Sequence, residues 1–451
     1  MRHAARAMRV PLRYLGLLGA SAALLHCAIS TSALSDASVD AGDVSVTVLD
    51  GNTEGSADAP NSEPPMLLWG YHKPNGSPNL RSTMAMSNNG SHVWTGGFWG
   101  GGKLFKVEGG DGTPVWEYDK PGCYGVAAAK SADVLYGAWD RKEDNGKLVA
   151  FEVSEFTSAS STPLWTFDGL AEGYTQHSID SQGMMAASAD GSVLAIAATL
   201  EVEKTSLILF FHKGQSKPYT LHVLPSTGRQ LRMSDDGTTL LVHYGSEVRR
   251  IDTATGTEVT TVIVGSGTDA FGMSGDASVF AQGFFTLKAF KWNGKSYEPS
   301  FEYTLDGKAT CGALAVADDN DSIVGAWTST TGSQLGYVTR FSLKQGKVPA
   351  WRYDLNPDTS TTGQSAAWVT ISHTGAWSAI SWWGTEHNTN PEIMVFRDEA
   401  PAAPYFGIDL PGSGFAAEMS GDGRFLTAVG KGVHANQTGN GGSVVAAELH
   451  R

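Results

Sequence analysis

One turn sequence decides the fold, and it reads Met233-Ser234-Asp235-Asp236-Gly237 in one copy and Met419-Ser420-Gly421-Asp422-Gly423 in another. In each copy an apolar strand ends in Ser, and Asp-Gly then allows the positive φ that a tight hairpin turn requires. Further copies are Met86-Ser87-Asn88-Asn89-Gly90, Ser188-Ala189-Asp190-Gly191, Met273-Ser274-Gly275-Asp276 and Ser372-His373-Thr374-Gly375, with weaker ones around Ala132-Asp133 and Asn320-Asp321. A turn that recurs in this way predicts a repeat array of β-sheets.

A second element recurs between the turns and is typical of an outer strand. It reads Trp-x-Tyr/Phe-Asp in its clear copies, which are Trp116-Glu117-Tyr118-Asp119, Trp165-Thr166-Phe167-Asp168 and Trp351-Arg352-Tyr353-Asp354. Eight turns and eight such strands can be counted. Gly90 and Gly423 are 333 residues apart, about 48 for each of seven steps, which suits four short strands per repeat.

The ends of the repeat region predict how the array closes. It begins with a lone fourth strand at Leu67 to His72 and ends with three strands between Phe415 and Leu449. If the first strand completes the last unit, no free sheet edge remains. We therefore predict an all-β fold, a single closed β-propeller over residues 66–451 with eight four-stranded blades. Seven blades is the alternative if one weak copy is miscounted.

The N-terminus predicts export. Residues 1–33 combine a basic start, an apolar core at Leu15 to Leu25 and small residues around Ala33, as a secretory signal does. A lipoprotein signal that ends before Cys27 is the alternative, although His26 departs from the small residue that this motif requires. Residues 34–65 are rich in Ser, Asp, Ala and Pro, so we expect a disordered acidic linker. The location predicted is extracytoplasmic: secreted, periplasmic, or anchored to the outer membrane through a lipid on Cys27.

Composition narrows the partner classes. The formal charge is −14, and no Lys/Arg run forms a basic surface, which argues against nucleic acid. None of the twelve histidines falls in a His-x-His or His-Glu-x-x-His pattern, so no metal site is predicted. A membrane partner is expected only through a lipid anchor.

The turn, the Gly-rich second strand and the Trp-x-Tyr-Asp strand together resemble the pyrroloquinoline-quinone-like propeller superfamily, over nearly all of Leu67 to Arg451. The resemblance implies the propeller fold, with quinoprotein dehydrogenases and non-catalytic scaffold propellers among its members. The docking motif of the dehydrogenases is approached once, at Ile251-Asp252-Thr253-Ala254-Thr255-Gly256, without its Trp, and no adjacent Cys pair exists. The chain is thus nearer to the non-catalytic members, and we predict no cofactor.

Several second strands end in aromatic residues on the face where the loops before first strands open, which we call the loop face. They are Trp99, Trp139, Tyr244, Phe285, Trp327 and Trp383. Such a ring could stack on a ligand, or it could be packing between blades. The candidate ligand-binding residues are Trp99, Trp139, Trp327, Trp383 and Arg232.

The sequence evidence for catalytic residues is weaker than that for ligand-binding residues. His177 and Asp180 lie in a long loop and could form a general base with an orienting carboxylate, and Glu386-His387 invites the same reading. No nucleophile or metal partner stands at a recognisable spacing, so an ordinary polar loop explains these residues better than a catalytic site does. The leading hypothesis is a binding or scaffold propeller that presents its loop face to a protein, peptide or glycan. The alternative is an enzyme, either a quinone-dependent oxidoreductase or a lyase or hydrolase.

Cys123 and Cys311 are 188 residues apart, and so are the tripeptides that follow them, Gly137-Ala138-Trp139 and Gly325-Ala326-Trp327. The two cysteines therefore occupy equivalent positions in their repeats. In an eight-bladed ring they occupy opposite walls, farther apart than the roughly 7 Å between Cα atoms that a disulfide tolerates. We therefore predict two buried cysteines without a disulfide. With fewer blades, a bridge becomes possible.

Overall fold

The structure is a computed structural model, and it describes most of the chain after residue 63. The described residues are 45–47, 64–73, 83–97, 101–142, 147–179, 183–200, 202–265, 270–305, 309–329, 336–355, 365–384, 390–398, 404–435 and 441–449. The predicted export signal with Cys27 lies outside them, and of the predicted linker only residues 45–47 and 64–65 are described. Trp99, Asp180, Glu386 and His387 also lie outside the described residues.

The described residues form short strands and no helix. The strands are β1 Ser45–Thr47, β2 Met66–Lys73, β3 Thr83–Met86, β4 His92–Gly96, β5 Gly102–Lys106, β6 Pro114–Tyr118, β7 Cys123–Ala128, β8 Leu135–Lys142, β9 Leu148–Thr157, β10 Ser160–Asp168, β11 His177–Ser178, β12 Met185–Ala187, β13 Val193–Leu200, β14 Thr205–His212, β15 Thr220–Leu224, β16 Gly228–Met233 and β17 Thr239–Tyr244. They continue with β18 Glu247–Asp252, β19 Thr257–Ile263, β20 Phe271–Met273, β21 Val279–Gln282, β22 Thr286–Trp292, β23 Tyr297–Thr304, β24 Ala309–Val316, β25 Ser322–Ser329, β26 Gly336–Ser342, β27 Trp351–Asp354, β28 Ala366–Ile371, β29 Trp377–Trp382, β30 Ile393–Arg397, β31 Phe406–Asp409, β32 Gly414–Met419, β33 Phe425–Lys431 and β34 Gly442–Glu448.

Eight antiparallel sheets follow one another along the chain as eight blades. Blades 1 to 7 are β3–β6, β7–β10, β12–β15, β16–β19, β20–β23, β24–β27 and β28–β31; blade 8 is β32–β34 with β2. Two blades carry an extra short strand, β11 in blade 3 and β1 in blade 7. The prediction of an eight-bladed propeller closed by the N-terminal strand is confirmed, and the seven-bladed alternative is wrong.

The β2–β34 pair closes the ring, with register from Met66 opposite Glu448 to Lys73 opposite Gly442. Trp69 in this strand is 5% exposed and reaches the neighbouring blade 1. Its indole stacks on Phe105 at 5.5 Å, and its Nε1 donates to the Val107 carbonyl at 3.1 Å. The fourth-strand tryptophan therefore joins one blade to the next by burial and by a satisfied N–H.

The turn sequence has a physical reason, which blade 4 shows. The Ser234 hydroxyl accepts the Thr239 N–H at 3.0 Å and donates to Asp236 Oδ1 at 2.6 Å, while Asp236 Oδ1 accepts the Thr238 N–H. Gly237 then takes φ +70°, where a Cβ is unfavourable. These side chains satisfy backbone donors that the turn removes from the sheet.

The second residue of each turn also links neighbouring blades into a ring around the axis. Its N–H donates to the carbonyl of the corresponding residue in the next blade at 2.7–2.9 Å, from Asn88 to Lys130, Lys130 to Ala189, Ala189 to Asp235, Asp235 to Gly275, His373 to Gly421 and Gly421 to Asn88. Between blades 5 and 6 the Gly275 N–H donates to the Asp318 side chain instead, at 2.6 Å. Between blades 6 and 7 the link is the contact of the Asp318 and His373 side chains. This turn ring fixes the relative height of the blades.

Residues 45–47 differ from the expected disordered linker. They form β1, which pairs antiparallel with β31, Val46 standing opposite Ile408. The local sequence Val44-Ser45-Val46-Thr47-Val48 is β-branched at four of five positions, which favours a strand despite the acidic, Ser-rich surroundings.

Cys123 and Cys311 occupy equivalent positions, because each stands opposite the tryptophan of its Gly-Ala-Trp tripeptide on the second strand. Both are buried, and neither forms a disulfide, as predicted. Burial raises the pKa of the Cys123 thiol to about 12, and the pKa of Cys311 is raised by the same cause. Both thiols are thus chemically inert in the folded protein, since the thiolate is the nucleophile.

The closing strand gives a first prediction. Replacing Trp69 by Ala removes the stack on Phe105 and the bond to Val107, and we expect the free energy of unfolding to fall by about 3–5 kcal/mol. Denaturant unfolding of the full chain measures it. Leu164→Ala, on the outer strand of blade 2 and 61% exposed, is the matched control and should change little. Equal effects of the two substitutions would contradict a stabilising role for the closing strand.

The cysteines give a second prediction. In a chain with Cys27→Ala, a thiol reagent at pH 8 should find no reactive thiol in the folded protein and two after unfolding without reductant. The physical reason is burial together with the raised pKa of both thiols. Two thiols that appear only after reduction would instead reveal a disulfide and overturn the assigned ring geometry.

Candidate functional site

The first strands of all eight blades surround a central channel with a volume of about 350 Å³. That volume is within the range of pockets that hold small molecules. Most of its wall is apolar or small, including Met84, Ala186 and Val369. Two charged side chains, Arg232 and Glu418, also line it.

These two charges stand at one level of the channel. Each lies two residues before the Ser that begins the turn of its blade. The corresponding residues of the other blades are Ala85, Ala127, Ala186, Gly272, Ala315 and Thr370. Small residues at this level leave room for one long cationic and one acidic side chain. Blades 4 and 8 supply them, so Arg232 and Glu418 approach from opposite walls.

Arg232 is held in place by the wall of its own side. Its Nη1 donates to the Leu231 carbonyl at 2.9 Å, and its Nη2 donates to Gln230 Oε1 at 2.8 Å and to the Phe271 carbonyl at 3.1 Å. Burial lowers the pKa of Arg232 to about 10, against the opposing effect of the Glu418 charge. The guanidinium is therefore positively charged at neutral pH, and three of its five N–H groups are used.

Glu418 titrates near neutrality. Burial raises the pKa of this carboxyl to about 7, while the Arg232 charge and hydrogen bonds from Trp368 and Thr370 act in the opposite direction. The carboxyl is therefore about half ionised at pH 7, whereas an exposed Glu would be fully ionised.

Trp368 connects the two charges. The Arg232 guanidinium carbon lies 5.8 Å from the centre of its ring, within cation–π range, and its side chain also hydrogen-bonds to Glu418. Arg232 and Glu418 do not themselves form an ion pair in contact; they interact electrostatically across the channel. A cation, an acid and an aromatic face thus point into one cavity, an arrangement that can bind and orient a polar ligand.

Polar side chains of the turn ring cross the channel at its other end, the turn face. Lys130 Nζ lies 2.7 Å from Asp235 and reaches across to Asp318 of the opposite blade at 3.4 Å. His373 contacts both Asp318 and Asn88. Because this chain of contacts spans the ring from blade 1 to blade 4, it closes the channel on the turn face. We call these five side chains the turn-face plug.

Asp318 holds the turn-face plug together electrostatically. Burial alone would raise its pKa, but the hydrogen bond from His373, the Lys130 charge and the Gly275 N–H outweigh burial, and the pKa is lowered. Asp318 is therefore an anion at neutral pH. At Gly421 of the turn ring, a Cβ would overlap Asn88 and His373, so Gly makes room for the plug.

The structure corrects two of the predicted ligand contacts. Trp139 and Trp327 are fully buried between blades rather than placed around a channel mouth. Trp139 Nε1 donates to the Lys120 carbonyl at 3.1 Å, and Trp327 Nε1 donates to Thr339 Oγ1 at 2.7 Å. The indole of Trp139 can turn inward because the residue two positions before it is glycine. A Cβ on Gly137 would overlap this indole. Gly-Ala-Trp is thus a packing motif.

Of the other aromatic candidates, Tyr244 is buried, and Phe285 is 50% exposed on the loop face. Trp383 is half-buried on the same face, its ring 6.2 Å from that of Phe415. Arg232 faces the channel, which makes it the sequence candidate that the structure places in a cavity.

The catalytic candidate His177 does not meet a reactive partner among the described residues. It lies in β11, its Nδ1 is 3.0 Å from the Thr175 carbonyl, and its ring packs edge-on against Tyr174. Its suggested partner Asp180, and Glu386 and His387, lie outside the described residues.

Sequence reasoning missed Glu418, Trp368 and the turn-face plug. An alignment of the eight repeats on their turns would have found Glu418. The residue two positions before the first turn residue is charged in two repeats, at Arg232 and Glu418. The described residues contain no group of three or more His, Cys, Asp or Glu that could bind a metal ion. Within the same residues, no helix has the length and hydropathy to cross a membrane.

Comparison with known proteins identifies the fold but no relative by sequence. No family model matches the chain, and no curated protein is similar to it in sequence. The resemblance to the pyrroloquinoline-quinone-like repeat therefore stays a prediction.

Among solved structures, the C-terminal WD40 domain of Sif2 is similar, with a TM-score of 0.56 and 11% sequence identity over 83% of this chain and 98% of that domain. In all, 1530 chains of solved structures match, so the fold is common and does not by itself assign a function. The comparison thus shows the fold alone, and the chain is an eight-bladed β-propeller.

Proposed function

We propose that this protein is an extracytoplasmic binding or scaffold propeller that holds a protein, peptide or glycan partner on its loop face. The observation that carries the proposal is the central channel, which holds two charged side chains and is closed on the turn face by Lys130, Asp318 and their neighbours. A partner therefore reaches Arg232 and Glu418 from the loop face.

Exposed aromatic side chains on the loop face also support its role as the binding surface. Phe285 is 50% exposed, and its ring is tilted by 53° against that of Phe284, with ring centres 4.1 Å apart. Trp383 offers a second, half-buried aromatic surface. Aromatic residues are enriched in binding surfaces because they bury a large area while losing little conformational entropy.

The partner-binding role predicts a difference between the two faces. The full chain is screened on peptide and glycan arrays, and the affinity of the best hit is measured by surface plasmon resonance. Trp383→Ala and Phe285→Ser should each weaken that affinity about tenfold or more, as the loss of an interface anchor does.

Val348→Ser is the matched control, because Val348 is an apolar residue with 65% exposure on the turn between β26 and β27, on the opposite face. Its affinity should equal that of the unmodified chain. A partner whose affinity falls with Val348→Ser, and not with the loop-face substitutions, would refute loop-face binding.

The proposed location is tested with the N-terminal segment. Residues 1–65 fused to a reporter that folds only in an oxidising compartment should give activity outside the cytoplasm of a bacterial host. Leu17→Asp with Leu18→Asp should abolish this activity, because charges interrupt the apolar core of the signal.

Val44→Asp, beyond the signal, serves as its control and should leave export intact. The mass of the exported product separates the two processing routes, since a lipid on Cys27 would be lost in Cys27→Ser and cleavage near Ala33 would not. Cytoplasmic reporter activity with the unmodified segment would refute the proposed location.

A further inference from the structure

We propose that the channel is a binding site for a small zwitterion, whose carboxylate pairs with Arg232 and whose ammonium group pairs with Glu418. This inference rests on the proposed binding function and deepens it, since the ligand enters from the loop face. It names the class of ligand that the channel itself would take.

The charges of the site determine this class. Arg232 and Glu418 project from opposite walls at one level and do not neutralise each other in contact. A ligand with one charge would satisfy one wall and leave the other charge buried in the channel, which is costly. A ligand with a separated negative and positive charge satisfies both.

The donors and the aromatic face are also suited to such a ligand. Three N–H groups of Arg232 are taken by wall carbonyls and Gln230, which leaves the Nε–H and one Nη1–H, either of which can donate to a carboxylate. Trp368 lies against both charged groups, and its ring offers an apolar surface to the methylene groups of the ligand. The channel volume of about 350 Å³ admits a molecule of amino-acid size.

The surroundings of Glu418 make the binding depend on pH in a defined direction. The strands β3 and β28 beside it carry no titratable side chain, and β33 carries only Lys431, at the end near the loop face. Arg232 is the charged group that faces it in the channel. His373, Asp318, Lys130 and Asp235 belong to the turn-face plug.

The direction of the pH dependence follows because the ligand's ammonium group needs an ionised Glu418. In the free protein its pKa is about 7, and an ammonium ligand favours the carboxylate. Binding therefore releases about half a proton at pH 7, and affinity falls about tenfold for each pH unit well below 7. A ligand that carried only a carboxylate would show the opposite trend, because a protonated Glu418 repels it least.

Calorimetric titration of the full chain tests this with a graded series of probes: glycine, 4-aminobutyrate and 6-aminohexanoate, against butyrate and butylamine. We expect one amino acid of the series to bind at least about tenfold more tightly than both single-charge analogues, with proton release seen as a dependence on buffer ionisation heat. Glu418→Gln, an isosteric change, should remove the proton release and weaken binding about tenfold. Arg232→Gln should weaken binding similarly, and Lys295→Gln, on an exposed turn, should have no effect.

Butyrate that binds as tightly as the amino acids, an affinity that rises as pH falls, or no binding by any probe would each overturn the zwitterion site. None of these outcomes changes the expected result of the loop-face experiment, which measures the affinity of a different partner for variants of Trp383 and Phe285. If the arrays yield no partner but 4-aminobutyrate binds with proton release, the channel site stands and the scaffold role fails.

Discussion

The pairing of β2 with β34 is the contact on which the whole ring depends. Each blade buries both of its faces against its neighbours, so an open array would expose one face of blade 1 and one of blade 8 to water. The closing strand brings Trp69 onto Phe105, and the turn ring continues across the same boundary, where the Gly421 N–H donates to Asn88. Covalent continuity, side-chain packing and backbone hydrogen bonds thus meet at one boundary, where the Gly421–Asn88 bond joins residues 333 positions apart.

Closure also builds the channel and its site. The first strands line the axis only because every blade is held at a fixed height by the turn ring, and this places Arg232 and Glu418 at one level. Small residues in six of the eight blades at that level, such as Ala186 and Gly272, keep the space open. The acid at position 418 keeps a raised pKa because the ring surrounds it on all sides while the nearest cation stays across the cavity.

The fold was predictable because its determinants are local. A Ser and an Asp separated by one residue satisfy the donors of their own turn, so each copy can be recognised in a few residues. The weak copies are explained in the same terms, because Ala129 and Ala317 replace the Ser. Ala132 and Asn320 take the positive φ that Gly holds in five other turns, at +61° and +58°, as Ala277 does in blade 5 at +55°. That cost of a left-handed non-Gly residue is tolerated because the surrounding ring fixes the turn.

The site was less predictable because its determinants are distant. Trp139 resembles an aromatic residue at a loop, and only the space that Gly137 leaves shows that its indole turns inward between blades. Glu418 stands alone in an apolar strand, 186 residues from Arg232. A charge in such a strand reads as a residue at a solvent-facing position until the ring has been closed around it.

The parity of the ring connects these observations. With eight blades every residue has a partner four repeats away on the opposite wall, whereas an odd ring gives no such partner. Lys130 reaches Asp318 across the axis, and Arg232 faces Glu418 by the same relation, as Cys123 and Cys311 do in the walls. In a seven-bladed ring the same side chains would point between two opposing blades, and neither charge would meet its counterpart at the axis. The even blade number is thus a condition for the turn-face plug and for the two-charge channel, and not only a count of repeats.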